Sequence, residues 1–243
     1  KYYHTKERFK MKNIEPLYDK QLQCPICSAN FTSKKVRTKF IKVNTYDTDF
    51  CPTYEEGSVN GLLYNIFVCP DCGYSYSEDF SKYFPPSTKE AIQEKIQSHW
   101  TPHNFSQERT IPAAIQTYKL AAYVASLKKE KHIVIAGLHL RTAWLYRMIN
   151  QHEKEQRFMK MAIDEYSNSY SNEDYKGTQV SDVRILYLLG ELSRRTNRYD
   201  EAVKYFSMVI ERRKRTVETK LVDMAVERYH EMKESKKQDK VKL

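Results

Sequence analysis

The chain contains 243 residues, of which 40% are hydrophobic and 13% aromatic, a composition typical of a folded globular protein rather than a disordered one. Its longest apolar runs, residues 62–68 and 133–140, are far shorter than the roughly 20 residues that cross a bilayer, so we predict no membrane helix. The net charge of +10 favours phosphate groups or acidic proteins as partners, and residues 1–42 hold 11 basic residues against 3 acidic ones.

The first 85 residues contain all five cysteines, and we predict a zinc-ribbon β domain over residues 20–85 after an N-terminal extension at residues 1–19. Alternating apolar and basic side chains predict a strand over Thr32–Val43. The apolar run Leu62–Val68 predicts a second strand. The acidic, turn-rich residues 44–60 between them are predicted to form a long irregular loop.

Two Cys-x-x-Cys pairs are the strongest chemical signal in the chain. Such a turn presents two thiolates to one tetrahedral ion, and a small residue after the second cysteine lets backbone amides donate to sulfur. We therefore predict one structural zinc ion per chain, held by Cys24, Cys27, Cys69 and Cys72. The alternatives are a redox pair, which needs a βαβ context, and disulfides, which suit an even number of cysteines. A closed set of four thiolates leaves no coordination position for catalysis.

Three residues of the predicted loop leave two interpretations open. Cys51 is either a small buried apolar side chain or an additional zinc ligand. Asp47 and Asp49 either cap backbone amides of their own loop or act as paired carboxylates or metal ligands.

The residues after Pro85 and Pro86 change character, because long helical periodicities replace the short strand patterns. Ser-x-x-Glu beginning at Ser87 is a capping box, which predicts a helix that starts at Thr88. We predict six or seven helices over residues 87–232 and a charged tail at residues 233–243. The overall fold class is therefore α+β and mainly α, with segregated strands and helices. The Ser/Asn/Tyr-rich residues Ser167–Thr178 are predicted to form an exposed loop between helices.

One helix pair follows the tetratricopeptide pattern, in which Gly190 and Ala202 let two helices approach and Phe206 fills the seam. A second, weaker copy lies 47 residues earlier, where Ala143 aligns with Gly190 and Met159 with Phe206. These matches predict a tetratricopeptide-like array, and a generic helical bundle is the alternative.

The functional prediction is a non-enzymatic adaptor or scaffold whose helical groove binds a protein or an acidic peptide. Guanidinium and aromatic groups suit an acidic or C-terminal carboxylate motif. The candidate groove residues are Arg141, Tyr146, Arg147, Tyr187, Arg194 and Arg195. An enzyme is not predicted, because no nucleophile elbow, P-loop or His-Glu-x-x-His motif occurs.

Nucleic-acid binding is the alternative function. Zinc ribbons often present a basic strand beside the metal, and counterion release would make such binding fall steeply with salt. No aromatic stacking platform accompanies these basic residues, which weakens this alternative. The residues are Lys34, Lys35, Arg37, Lys39 and Lys42.

The cysteine motifs, the basic strand between them and the Asp-x-Asp-Phe-Cys-Pro sequence at residues 47–52 together resemble a bacterial family known as domain of unknown function 2225. Residues 105–109, 140–147 and 190–195 are also similar to that family. The resemblance covers most of residues 20–215 and departs from the family pattern near residues 168–178. It implies a cytoplasmic bacterial protein with a zinc ribbon and helical repeats, and it implies no reaction.

Overall fold

A computed structural model describes residues 14–241, and the side chains of residues 14–235. The predicted extension at 1–19 therefore lies mostly outside the described residues, as do the last two residues of the predicted tail. All strands precede residue 77 and all α-helices follow residue 87 within the described chain, so the α+β, mainly α class is confirmed. We call residues 14–85 the cysteine segment and residues 88–241 the helical segment.

The cysteine segment contains three two-stranded antiparallel hairpins. Strand β1 (Leu17–Gln23) pairs with β2 (Asn30–Val36) from Leu17 opposite Val36 to Gln23 opposite Asn30. The other strands are β3 (Val43–Tyr46) with β4 (Pro52–Tyr54), and β5 (Phe67–Val68) with β6 (Ser75–Tyr76).

The prediction of a strand over Thr32–Val43 is wrong beyond Val36. The partner strand β1 begins at Leu17, opposite Val36, and among the described residues only the backbone hydrogen bond from the Arg37 amide to the Pro16 carbonyl at 2.9 Å extends the hairpin beyond that pair. The following residues form a 3₁₀ turn at Thr38–Phe40 instead. The predicted strand Leu62–Val68 is also shorter than expected and is reduced to β5. The Asn60 side chain accepts a hydrogen bond from the Leu62 amide, and a 3₁₀ turn forms at Gly61–Tyr64.

Seven α-helices occupy the described part of the helical segment, and each packs against the next in the chain. A further contact joins the fifth and seventh helices. The helices are α1 (Thr88–Lys95), α2 (Ile111–Lys128), α3 (His132–Met148), α4 (His152–Asn172), α5 (Asp182–Arg195), α6 (Tyr199–Glu211) and α7 (Thr219–Val241).

The start of α1 at Thr88 is confirmed, but the predicted capping box is wrong. Ser87 has φ 63° and its side chain makes no cap hydrogen bond, whereas the Thr88 hydroxyl donates to the Pro85 carbonyl at 2.6 Å. The predicted loop Ser167–Thr178 is also shorter than expected, since α4 continues to Asn172. Within the last turn of α4, the buried Ser169 hydroxyl bonds to Asp174 at 2.5 Å, which accommodates a polar side chain inside the fold.

The two helix pairs α3–α4 and α5–α6 repeat each other at a spacing of 47 residues. Each first helix ends, and each second helix begins, at positions 47 apart. Asn150 and Asn197 in the two turns both have left-handed φ angles, 56° and 62°. The predicted contact in the second pair is present, because a Cβ added to Gly190 would lie 2.7 Å from the Phe206 ring.

The core is continuous between the two segments, since one apolar cluster runs from Cys24 and Phe31 to Leu192. Arg109, just before α2, joins them through polar contacts. Its guanidinium donates to the carbonyl oxygens of Leu63 at 3.1 Å and Ile66 at 2.7 Å. Burial lowers the pKa of Arg109 to about 10. These bonds anchor the cysteine segment on the helices.

Candidate functional site

The four predicted metal ligands lie in two turns of the same backbone geometry. The Ser28 amide donates to the Cys24 carbonyl at 2.9 Å, and the Gly73 amide donates to the Cys69 carbonyl at 3.0 Å. Ser28 and Gly73 both have left-handed φ angles, 64° and 73°. The first turn connects β1 to β2 and the second connects β5 to β6, so two hairpins bring the cysteines together.

The four sulfur atoms lie at distances that suit one tetrahedral ion. Cys24 Sγ is 3.5 Å from Cys72 Sγ, and Cys27 Sγ is 3.7 Å from Cys69 Sγ. All four ligand atoms lie within 4.8 Å of one another. Metal–sulfur bonds of about 2.3 Å in a tetrahedron require sulfur–sulfur separations of about 3.8 Å. The arrangement can therefore hold a metal ion, as the Cys-x-x-Cys spacing predicted.

The sulfurs perturb one another strongly. Hydrogen bonding with Cys69 raises the pKa of the Cys24 thiol to about 12, and hydrogen bonding with Cys24 raises the pKa of Cys72. Hydrogen bonds with Cys24 and Cys72 lower the pKa of the Cys69 thiol to about 2. Four thiolates this close repel one another, so a bound cation is required to stabilise the fully ionised set.

Cys51 is not part of this group among the described residues. It is 5% exposed, and burial raises the pKa of its thiol to about 12. Its interpretation as a small buried side chain is therefore favoured.

Trp100, between α1 and α2, supports the second cysteine turn. Its indole Nε1 donates to the Pro70 carbonyl at 2.8 Å, and a Cβ added to Gly73 would lie 2.4 Å from its ring. The sequence analysis did not identify this role of Trp100. The only sequence signal for this contact was Gly73, the residue after the second cysteine of the pair, because a glycine can mark a place where another side chain approaches the backbone closely.

Asp49 is fully buried and binds side chains from α3. It accepts hydrogen bonds from Trp144 Nε1 at 3.0 Å and from two nitrogens of Arg147 at 3.1 and 2.6 Å. The Cys51 amide also donates to it at 3.2 Å. Arg147 donates to Glu155 at 2.7 Å as well. The prediction that Asp49 caps its own loop is thus only part of its role.

Asp47 connects the same loop to both repeats. It contacts Arg147 at 2.9 Å and Arg195 at 2.6 Å. Burial alone would raise the pKa of Asp47, but hydrogen bonding and charge from Arg195, with further contributions from Thr48 and Arg147, hold it below its ordinary value. We call residues 47–50 the acidic turn.

The acidic turn also contacts α5 through the hydroxyl groups of Tyr187 and Thr48. The Tyr187 hydroxyl donates to the Thr48 carbonyl at 2.8 Å, and the Thr48 hydroxyl donates to the buried Glu191 at 2.5 Å. Glu191 in turn accepts bonds from Arg194 at 2.8 Å and Arg195 at 2.6 Å.

The six predicted groove residues therefore have different environments. Tyr146 and Tyr187 are buried, and Arg147, Arg194 and Arg195 are paired with carboxylates of the chain itself. Arg147 and Arg195 join the two segments, Tyr146 and Tyr187 are buried, and Arg194 pairs with Glu191 of its own helix, so these five side chains do not line one open groove. Arg141 differs, because its nearest carboxylate, Asp79, lies 3.9 Å away.

Arg141 lines a cavity of about 570 Å³ between α3, α5, Tyr166 of α4 and the loop at residues 177–180. Arg184 of α5 also lines this cavity. The sequence analysis did not identify Arg184, because it precedes the recognised repeat pattern. The apolar lining residues include Phe50, Ile133, Val134, Leu140, Trp144 and Leu188. We call this cavity the α3–α5 groove.

The predicted basic strand is divided by its contacts. Lys34 pairs with Asp19 at 2.9 Å, and Lys35 pairs with Glu78. The other three are exposed: Arg37 stacks over Tyr18, Lys39 lies over Phe40, and Lys42 has an exposed side chain.

Among the described residues, none of the helices is both long and apolar enough to cross a membrane. The chain is similar to an uncharacterized protein of Borreliella burgdorferi (strain ATCC 35210 / DSM 4680 / CIP 102532 / B31), with 22% identity over 165 residues. The aligned region covers 61% of this chain and 59% of that relative, so the chain spans less than two thirds of the relative's length. No solved structure matches the chain. The family model described as "Uncharacterized protein conserved in bacteria (DUF2225)" matches residues 17–232, and the chain belongs to this family.

Proposed function

We propose that this protein is a non-enzymatic, zinc-containing adaptor that binds a protein or peptide partner in the α3–α5 groove. The observation that carries the proposal is the groove itself. It combines apolar walls with two guanidinium groups: Arg184 forms no ion pair with a described residue, and Arg141 lies 3.9 Å from Asp79, whereas Arg147, Arg194 and Arg195 on the same two helices form closer ion pairs. Pockets with apolar walls and a few convergent polar groups are common ligand sites.

The helical segment suits a tetratricopeptide-like reading of the repeats. Helices α3 and α5 occupy equivalent positions in the two 47-residue units, and both line the groove. Stacked helix pairs of this kind form extended concave surfaces for partners. The close contact of Gly190 with Phe206 agrees with the small-residue position of that pattern.

The metal in this proposal is zinc with a structural role, and the cysteine segment is a zinc ribbon. Four thiolates in a closed tetrahedral set are typical of structural zinc. The metal would hold two hairpin turns together, and Trp100 would transmit that order to the helices through its contact with Gly73.

Site-specific photocross-linking tests the adaptor function. A photoreactive residue replaces Gln179, which is exposed on the rim of the groove, in the full-length chain. The matched control carries the same residue at Lys160, which is exposed on α4 and does not line the groove. We expect irradiation in lysate of the source bacterium to link one identified protein at Gln179 and not at Lys160.

Two results would contradict the adaptor function. Cross-linking of the same proteins from both positions would mean nonspecific contact. Recovery of nucleic acid alone, abolished by Arg37→Glu with Lys39→Glu and by high salt, would support nucleic-acid binding through the exposed basic residues instead.

A further inference from the structure

The α3–α5 groove contains polar groups that the fold leaves unused. Arg184 stacks over Phe50 at 4.3 Å and forms no ion pair with any described residue. Tyr166 is 5% exposed, and its hydroxyl makes no hydrogen bond within the part of the chain that the structure describes. Because Tyr166 lines the cavity, its hydroxyl is available there as a hydrogen-bond donor to a ligand.

These groups are close enough to act together. Burial raises the pKa of Tyr166 to about 12, and the charges of Arg141 and Arg184 both oppose that shift. Both guanidinium groups are therefore within electrostatic range of the Tyr166 hydroxyl. Two cations and one hydroxyl donor on one cavity form a site for an anion.

The surroundings narrow the class of anion. Asp79 also lies on the groove, 3.9 Å from Arg141, and its charge disfavours an anion that carries two negative charges, such as a phosphate. The apolar walls, Leu140 and Leu188 among them, require a hydrophobic group beside the charge. The last residue of a peptide combines a single carboxylate with a side chain in this way.

We propose that the α3–α5 groove binds the C-terminal carboxylate of a peptide whose last side chain is apolar, with Arg141, Arg184 and Tyr166 as the carboxylate donors. This inference rests on the proposed adaptor function and names its ligand class. Guanidinium groups suit the role because they donate two parallel hydrogen bonds to a planar carboxylate.

The test uses the immobilised full-length chain and a pool of N-acetylated hexapeptides that end in leucine, supplied as free acids and as C-terminal amides. Retained peptides are measured by mass spectrometry. We expect the free acids to be retained about tenfold or more above the amides, since charge-assisted hydrogen bonds between a guanidinium and a carboxylate are stronger than those to a neutral amide. Arg184→Ala and Arg141→Ala should reduce retention of the acids to that of the amides.

Controls separate binding from folding. Arg157→Ala removes an exposed arginine of α4 that does not line the groove, and it should leave retention unchanged. Arg184→Lys keeps the charge without the two-point donor and should retain the acids at an intermediate level. Circular dichroism of every variant confirms that the helices are intact.

Three results would overturn the inference. Equal retention of acids and amides would exclude carboxylate recognition, as would wild-type retention by Arg184→Ala. Retention of N-acetyl-leucine at the level of the hexapeptides would assign the site to a small free acid. If acids and amides bind equally while the Gln179 cross-link persists, the adaptor function stands and only the carboxylate inference fails. If the Gln179 cross-link is also absent, the adaptor function fails too.

Discussion

The guanidinium of Arg147 on α3 forms a two-point contact with the fully buried carboxylate of Asp49, a residue 98 positions earlier in the cysteine segment. Arg147 also binds Asp47 and Glu155, so one side chain collects three carboxylates. Burial acts to lower the pKa of Arg147, but Asp49 and Glu155 keep it above its ordinary value. The acidic turn is thus held against the helices by charge that is sheltered from water.

Replacement of Arg147 by alanine should destabilise the protein strongly. The change leaves the buried Asp49 carboxylate without its cation, and loss of one partner of a buried pair costs about 3–5 kcal/mol. The measurement is the free energy of unfolding from urea titration, followed by circular dichroism. The matched control is Arg213→Ala, which breaks an exposed pair with Asp223 and should cost about 0–1 kcal/mol. Equal losses in the two variants would contradict a special role for the acidic turn.

Acid should weaken the same contact through Asp47. Its folded pKa is lower than the ordinary value of 3.8, so its contribution to stability is present above that value and is lost as the pH falls through the lowered pKa. Asp47→Asn removes this contribution at neutral pH, and the difference from the wild type should shrink in strongly acidic solution. Unfolding free energies of both proteins from pH 7 to about 3 test this. A difference that stays constant over the whole range would refute it.

Gly190→Ala should disrupt the second helix pair. The added Cβ would lie 2.7 Å from the Phe206 ring, which is fully buried. Overpacking of this kind costs about 1–3 kcal/mol. Gly137→Ala on α3 is the control, because its Cβ would meet only the flexible end of Arg141, and alanine favours the helix by up to about 1 kcal/mol. Thermal unfolding should separate the two variants, and similar midpoints would show that the contact with Phe206 is soft.

Metal analysis tests the cysteine site directly. We expect about one zinc ion per purified chain, and none in the Cys69→Ser, Cys72→Ser double variant, which should also lose strand signal in circular dichroism. Cys51→Ser should keep its zinc, since Cys51 lies apart from the four sulfurs. Full zinc in the double variant, or loss of zinc in Cys51→Ser, would change the ligand set.

The sequence predicted features that depend on local pattern. Cysteine spacing identified the four-sulfur group, and periodicity located the helices and the contact between Gly190 and Phe206. Prediction from the sequence failed where the structure of a segment depends on the neighbouring segment with which it pairs or packs. The residues after Val36 alternate like a strand, but β1 provides no pairing partner there, and Ser/Asn composition alone did not end α4 before Asn172.

The site was less predictable, because its contacts join residues far apart in the chain. Arginines spaced along α3 and α5 suggested a common binding face, yet Arg147 and Arg195 are occupied by the acidic turn. Asp47 and Asp49 were visible as a pair, but nothing in their spacing indicated which cations they meet. Arg184 became a candidate only when the structure placed it on the α3–α5 groove.

The reliance of Arg147 and Arg195 on the acidic turn bears on how the protein can be dissected. A fragment that begins at residue 87 would lack Asp47 and Asp49, and it would expose guanidinium groups that the intact chain neutralises. Such a fragment would adsorb RNA, heparin or acidic resin through surfaces hidden in the native protein. Polyanion affinity measured on the truncated helices would therefore reflect the cut and not the physiological ligand.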